Sequence, residues 1–453
     1  MKTITLEQTR KRIDNIASAD RDNRKYFRRH RIYDYMPGQV TYNLGDYPAR
    51  FSVEPTEYDY NMIKELAESG VEVLQIHEEW NDAIRCLGAD KFSSFDPRGM
   101  KKFIDLCHSF GIKILPYIST GYFEETDPDF REDFTRAEFA LRHDYFNYRK
   151  CYAGSPTWRQ YLLNNVFNML DEYEFDGVYN DWGYDGLVFA KKKMIAEETY
   201  PNDSSIIDMP YDPILEDLLC SIYSEVKRRG GIVKIHADLN NTTPTKDKVY
   251  DYLWIGEHTG TSNFGIGKGY EPYVIPCRDA KDPAKTDTDY YAKLIPFMQF
   301  PLLKRGRPIT GTGVDTEHFF EKEEGDYMRW CKIKDYYSKN PNGPHCYSLW
   351  SSIPDNPMDY ENFRKYLALY KPMVTKNSVA YIELRDSADI LSSLSDNVFA
   401  SMFVNEEKYL VISNLTDKDY TLELRGIWQN RETKESSSHF TVKPSQLLFL
   451  IKI

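Results

Sequence analysis

No apolar run of 18 residues occurs anywhere in the chain, so no segment reads as a membrane-crossing helix. Its first ten residues, Met1 to Arg10, also lack the apolar core of a secretory leader. The 7 cysteines, Cys86, Cys107, Cys151, Cys220, Cys277, Cys331 and Cys346, are odd in number and form no Cys-x-x-Cys pair. That scatter argues against structural zinc and against a disulfide framework, and it leads us to expect free thiols in a soluble, cytoplasmic protein. Basic blocks are scarce as well. Asp and Glu outnumber Lys and Arg by 70 to 58, for a net charge of −12. The one short cationic run, Arg24, Lys25, Arg28, Arg29 and Arg31, reads as a solvated face, so neither nucleic acid nor a membrane is an expected partner. Gly265-Ile-Gly-Lys-Gly269 is glycine-rich but does not open a helix after a strand, which leaves no phosphate loop and no implied cofactor.

What the chain does have is aromatic surface and a repeating αβ order. Aromatic residues make up 15%, with 35 Tyr and 7 Trp; such rings fill cores, and they also offer flat apolar faces with polar edges. At 453 residues the chain exceeds one typical domain, so a large domain with a smaller companion is expected. From residue 57, helical periodicity alternates with short β-branched runs. A helix from Tyr58 stops at Gly70 before a strand, Val71 to His77. Asp96-Pro97 opens a helix that Gly111 stops before Ile112 to Ser119, and Ser155-Pro156 opens one that leads to Asp176 to Asp181. A fifth strand spans Ile232 to Asp238 and a sixth Tyr250 to Glu257. A helix from Asp289 to Lys304, a strand from Arg307 to Thr312, a helix from Glu323 to Lys339 and a strand from Pro344 to Trp350 follow. With a first strand between Gln39 and Glu54 the count is eight, the number that closes a (β/α)₈ TIM barrel. An open doubly wound sheet is disfavoured for want of a phosphate loop. Beyond residue 377 short alternating strands predict a C-terminal antiparallel β-sandwich. The organisation expected is an N-terminal helical extension over 1–38, a catalytic barrel over 39–376 and the sandwich over 377–453.

Strand alternation then sorts side chains into an inner and an outer layer. In Ile232 to Asp238, Val233, Ile235 and Ala237 share the outer face, which turns Lys234, His236 and Asp238 inward. By the same rule Gln75, His77 and Glu79 face inward on the second strand, and Tyr117 and Ser119 share a face on the third. A barrel filled only for stability carries Val, Ile and Leu there, and the sites of this fold sit at the C-terminal strand ends. A lone His77 reads as a satisfied core histidine; the convergence of several polar strand ends reads as a site.

The segment Phe175-Asp-Gly-Val-Tyr-Asn-Asp181-Trp182 resembles the fourth-strand motif of retaining (β/α)₈ glycoside hydrolases, particularly the α-galactosidase and α-glucosidase-like clans. The resemblance, with the order of units, covers roughly residues 40 to 453. It implies a hydrolase acting on terminal sugars of oligosaccharides or small glycosides, with Asp181 as nucleophile and an acid from Glu257 at the sixth strand tip. Relatives more often carry Asp there, and Leu253 and Ile255 share parity with Glu257. Asp238 is the rival acid, since amylase-like barrels take theirs from strand five, although they use Glu. The chemistry needs such a pair, one carboxylate to attack and one acid to protonate the leaving oxygen. Supporting contacts to a carbohydrate are expected from His77, Glu79, Tyr117, Tyr179, Asn180, Trp182, Lys234, His236, His258 and Trp350, with Lys234 keeping Asp181 ionised. Asp185 reads as a turn residue. Insertions at 121–154 and 183–213 are expected to rim a pocket for a chain end. Two other readings compete: a sugar-binding barrel without catalysis, and a metal-dependent amidohydrolase. The second is disfavoured because no His-x-His pair lies on an early strand.

Overall fold

Thr5 opens the first helix, α1 (Leu6–Asp22), with a capping box in which its hydroxyl accepts the Gln8 N–H and the Gln8 side chain accepts the Thr5 N–H. Strand β1 (Lys25–Arg31) follows. The computed structural model describes residues 4–23, 25–44, 53–77, 80, 92–94, 96–125, 127–143, 146–181, 212–236, 245, 247–255, 267–269, 271–276, 288–307, 357–375 and 378–453. Strand β2 (Gln39–Asn43) begins the alternating βα run. It continues through α2 (Glu57–Glu68), β3 (Val73–Gln75), α3 (Pro97–Ser109), β4 (Lys113–Leu115) and β5 (Tyr117–Ser119). The α3 start is built as the sequence suggests: the Asp96 carboxylate accepts the Gly99 N–H, and Pro97 occupies the first turn, where no N–H is needed. The chain leaves α3 through Gly111 at φ +74°, a backbone state that favours glycine. The insertion after β5 is a three-stranded antiparallel sheet of β6 (Tyr122–Glu124), β7 (Thr135–His143) and β8 (Phe146–Cys151), with β8 in the middle.

Ser155 then caps α4 (Pro156–Tyr173), which leads to β9 (Gly177–Asp181), α5 (Pro213–Arg228), β10 (Ile232–His236), β11 (Tyr252–Ile255) and β12 (Val274–Pro276). After α6 (Thr288–Leu294) come β13 (Leu303–Gly306) and α7 (Pro357–Tyr370). The parallel strands form two arcs, β13-β2-β3-β4 and β5-β9-β10-β11-β12. Pro116, which has no N–H for a ladder, joins β4 to β5, and its carbonyl accepts the Tyr179 N–H at 2.8 Å. At the other end of the arcs the Leu302 N–H donates to the Pro276 carbonyl at 2.8 Å.

Two late elements differ from expectation. The periodic pattern places a helix through Lys304 and the seventh strand at Arg307 to Thr312; the structure ends that helix at Leu294 and puts Lys304 inside β13. Pro296 tightens the backbone into a 3₁₀ turn, Ile295–Phe297, and Met298 then takes a left-handed φ of +58°, which no helix continues through. The three-residue β12 is not anticipated by the pattern; with β4 and β5, which Pro116 joins, counted as one, β9 is the fourth and β13 the eighth parallel segment among the described residues, paired directly with β2. Residues 308–350, which hold the expected helix Glu323 to Lys339 and strand Pro344 to Trp350, lie outside the described residues.

Strands β14 (Val379–Asp386), β15 (Val398–Val404), β16 (Lys408–Asn414), β17 (Tyr420–Asn430), β18 (Ser436–Val442) and β19 (Gln446–Lys452) complete the chain. They form one continuous antiparallel sheet, ordered β1-β14-β15-β16-β19-β17-β18, where two facing sheets are expected. Its edge strand β1 comes from the N-terminal segment expected to be only helical. Alternation divides the sheet's side chains between two cores. Phe403, Val411 and Phe449 join the core of the parallel strands, whereas Met402, Leu410, Ile412 and Leu450 join a second core with Ala19 of α1.

Candidate functional site

Two aspartates at the start of strands fix the parallel ladder from below. The Asp176 carboxylate accepts the Ile114 N–H at 2.9 Å and contacts His108 at 2.8 Å. Asp251 accepts the Val233 N–H at 2.9 Å and the Lys227 ammonium at 3.0 Å. Gly177 follows Asp176 at φ +140°, and a Cβ there would lie 1.9 Å from the Ile232 carbonyl oxygen. The Phe-Asp-Gly start of the fourth-strand motif is therefore an anchor and a close backbone approach, and it sets where Asp181 emerges five residues later.

Register then assembles the upper end. Tyr117, Tyr179, Lys234 and Tyr252 lie level on adjacent strands. One step higher, Ser119 pairs with Asp181 and His236 pairs with Trp254. Asp181 receives two hydrogen bonds: the Tyr117 hydroxyl donates to Oδ2 at 2.6 Å, and His236 Nδ1 lies 2.5 Å from Oδ1. Both the aspartate and the histidine side chains keep 12% of their surface exposed, so the pair is nearly buried yet open on one side. The His236 ring meets Trp254 edge-on, 4.3 Å between centroids at 86°. Tyr179 packs against Tyr117, His77 and Trp254, making an aromatic floor under the carboxylate.

A second chain of contacts runs beneath. The Lys234 ammonium donates to Gln75 Oε1 at 2.9 Å, and Gln75 Nε2 stands 3.3 Å from His77 Nε2. With its oxygen taken by lysine, the Gln75 amide is left to donate, so His77 Nε2 is the acceptor of a neutral ring. Electrostatics agree: burial first, then the nearby Lys304 ammonium, push the His77 imidazole down to about 3.

Of the expected residues, Asp181, His77, Tyr117, Tyr179, Lys234 and His236 converge here. Lys234 reaches Gln75 instead of serving Asp181 alone. Asn180 alternates to the opposite face of β9, level with Ile118 and Ile235, and its amide has no partner among the described residues. Glu257, Asp238, Glu79, Trp182, His258 and Trp350 lie outside the described residues, as does the insertion over 183–211. Three residues outside the expected contact set join the site: Ser119, which shares a face with Tyr117, beside Asp181, Trp254 against His236, and Lys304 near His77. Parity places Ser119 on the face of Tyr117, and parity on β11 would have found Trp254; Lys304 is hidden by the apparent helix. Among the described residues one His/Cys/Asp/Glu cluster with metal-ligand spacing occurs, Glu216, Cys220 and Asp247, where α5 meets the segment before β11, apart from this site.

A carboxylate held at both oxygens and open on one face can attack an electrophilic carbon or steady a cationic one. No protein-family model matches the sequence, and no curated protein matches it. Solved structures do. A noncanonic maltogenic α-amylase from Thermotoga neapolitana is similar at 12% identity and TM-score 0.53, over 92% of this chain and 99% of that one. An α-glucosyl transfer enzyme is similar at 11% identity and TM-score 0.53, over 92% and 99%. An Anoxybacillus α-amylase gives 10% identity and TM-score 0.51, over 93% and 97%. At such identities the likeness is one of architecture: the chain has the α/β fold of amylase-type barrel proteins, with a C-terminal antiparallel sheet.

Proposed function

We propose that this chain is a glycoside hydrolase whose nucleophile is Asp181. The observation that carries the reading is the Asp181 carboxylate at the C-terminal tip of β9, the fourth parallel strand, held by Tyr117 and His236 over an aromatic floor. The two arcs are read as one closed barrel, joined at Pro116 and at the Leu302 to Pro276 hydrogen bond. The domains are read as a catalytic barrel over 39–376 flanked by 1–38 and 377–453. The narrower likeness to α-galactosidase and α-glucosidase-like clans rests on residues 175–182, while the solved structures similar in fold are named for α-amylase and α-glucosyl transfer activities.

In the first step Asp181 forms a bond to the anomeric carbon as the bond to the leaving oxygen breaks, and an acid, Glu257 or Asp238, gives that oxygen its proton. Water, deprotonated by the same residue, then attacks the anomeric carbon and frees Asp181, with retention. Terminal sugars of oligosaccharides or small glycosides are the expected carbohydrate substrates, because the insertion after β5 builds a wall of its own. A cytoplasmic setting suits the thiols of Cys107 and Cys151, which are free and buried; burial pushes both up, away from the reactive thiolate.

The test is a panel of 4-nitrophenyl α- and β-glycosides, read with wild type and Asp181→Ala. The variant is expected to lose several orders of magnitude in kcat on the best substrate. Azide or formate should restore part of it by replacing the missing carboxylate. Wild-type-like turnover by Asp181→Ala would remove the reading.

A further inference from the structure

We propose that His236 is a positioning residue for Asp181: its Nδ1–H fixes the carboxylate for attack, and its charge state gates that attack. The inference rests on the reading of Asp181 as nucleophile. It departs from a role for His236 in touching sugar, because the Nδ1 edge of the ring is already committed to Asp181 Oδ1 at 2.5 Å.

The geometry gives the ring little freedom. β10 lies beside β9, with Ile235 opposite Asn180, so His236 and Asp181 are set side by side by backbone register. Trp254, from the next strand, meets the ring edge-on at 4.3 Å, and Tyr179 lies 6.4 Å from it while also packing on Trp254. Tyr117 takes Oδ2, which leaves the carboxylate plane defined by two donors from two strands.

Charge supplies the gate. A neutral His236 donating through Nδ1 orients an anion without neutralising it. A protonated His236 becomes an ion-pair partner that draws electron density from the nucleophile, and it places a positive charge beside an anomeric carbon that itself turns positive in the transition state. Both effects slow the reaction on acidification. Among the described residues, the titratable and charged groups around this ring are Asp181 and Tyr179 from β9, Tyr117 from β5 through Asp181, Lys234 from its own strand, His77 after β3 and, acting through His77, Lys304 from β13. Among them a second imidazole could mimic the gate, but His77 is pushed down to about 3 by burial and Lys304, outside the range where imidazoles ordinarily change charge.

The experiment compares kcat, KM and pH profiles of wild type, His236→Phe, His236→Asn and Asp181→Ala on one 4-nitrophenyl glycoside, with circular dichroism melts to follow folding. His236→Phe keeps a ring against Trp254 and loses the donor; kcat should fall roughly 10²–10³-fold, the scale for removing one preorganised donor, with KM little moved. His236→Asn returns an amide N–H near the Nδ1 position; kcat should recover to within about tenfold of wild type, and the acid limb of the profile should vanish because an amide does not titrate. An acid limb that persists unshifted in His236→Asn, an Asn variant as slow as Phe, or a change confined to KM would each overturn the proposal. Should His236→Phe not fold, the pH profile of His236→Asn decides alone. An inactive Asp181→Ala beside any of those outcomes sinks only the role of His236, whereas an active Asp181→Ala sinks the nucleophile.

Discussion

Glu271 lies just ahead of β12 with Oε2 taking the Tyr250 hydroxyl at 3.2 Å and Oε1 buried without a partner among the described residues. Burial pushes its carboxyl from the ordinary 4.5 up to about 8, with Tyr250 and Arg28 opposing. Between those two values the folded chain holds a proton that the unfolded chain has released, so stability falls as pH rises through that window and the loss is complete above about 8. His30 runs in the opposite sense: burial, Arg28 and Lys248 push it down to about 4, so acidification below its ordinary 6.5 favours the unfolded chain. Glu271→Gln imitates the protonated acid. Its stability advantage over wild type should therefore grow from pH 5 to pH 8, to on the order of a few kcal/mol, as read from urea midpoints. An advantage constant across that range would contradict the shift. Strand parity in the sequence places Tyr117, Asp181, Lys234 and His236 on one face, and the strand register sets them together. At Asn180 motif proximity to Asp181 and strand parity point apart, and the register puts its side chain on the opposite face of β9.

Strand β9 shows how much of an element its first two residues decide. The Asp176 carboxylate ties β9 to β4 through the Ile114 N–H, and Gly177 lets the strand pass against Ile232 where no side chain fits. Gly177→Ala puts a methyl group onto backbone and asks for φ +140° from an L-residue, so a loss of roughly 3 kcal/mol or more is expected, or failure to fold. A variant melting within a degree or two of wild type would show that β9 and β10 separate more readily than their register implies. The same scale explains which elements the sequence discloses. Helices α3 and α4 carry Asp96-Pro97 and Ser155-Pro156, local signals that capping chemistry makes unambiguous. β12 has three residues and no alternation to read, and the stretch before β13 has helical periodicity that Pro296, Met298 and Pro301 interrupt. β18 alternates, but its run Ser436 to His439 is polar, and pairing with β17 supplies what burial does not.

At the scale of the molecule, the C-terminal sheet is fastened to the parallel strands by more than adjacency. Phe399 meets Phe297, Phe403 meets Tyr370 and Phe449 meets Tyr366, with centroids 5.3, 5.9 and 6.2 Å apart. Polar bonds cross the same boundary: the Ser413 hydroxyl donates to the Ala292 carbonyl at 2.7 Å, the Asn405 amide to the Pro372 carbonyl at 3.0 Å, and Arg431 to the Leu369 carbonyl. Strand β1 pairs with β14, so segments from before and after the parallel strands share one sheet. A composition shift near residue 377 marks where the pattern changes, but not that β1 crosses to the far sheet, because long-range pairing leaves no local mark. With the Phe403 side chain buried in the shared core, removing that sheet would bare apolar surface that α6 and α7 cannot cover alone. The fragment 32–377 is therefore expected to aggregate when expressed. Phe403→Ala should destabilise the whole chain by about 3–5 kcal/mol in one cooperative transition. Calorimetry and tryptophan fluorescence check this, since Trp428 lies in the sheet and Trp158 and Trp254 lie in the barrel region. A soluble, active 32–377 fragment, or a Phe403→Ala melt that splits into a weakened sheet and an unchanged barrel, would show that the two parts fold independently.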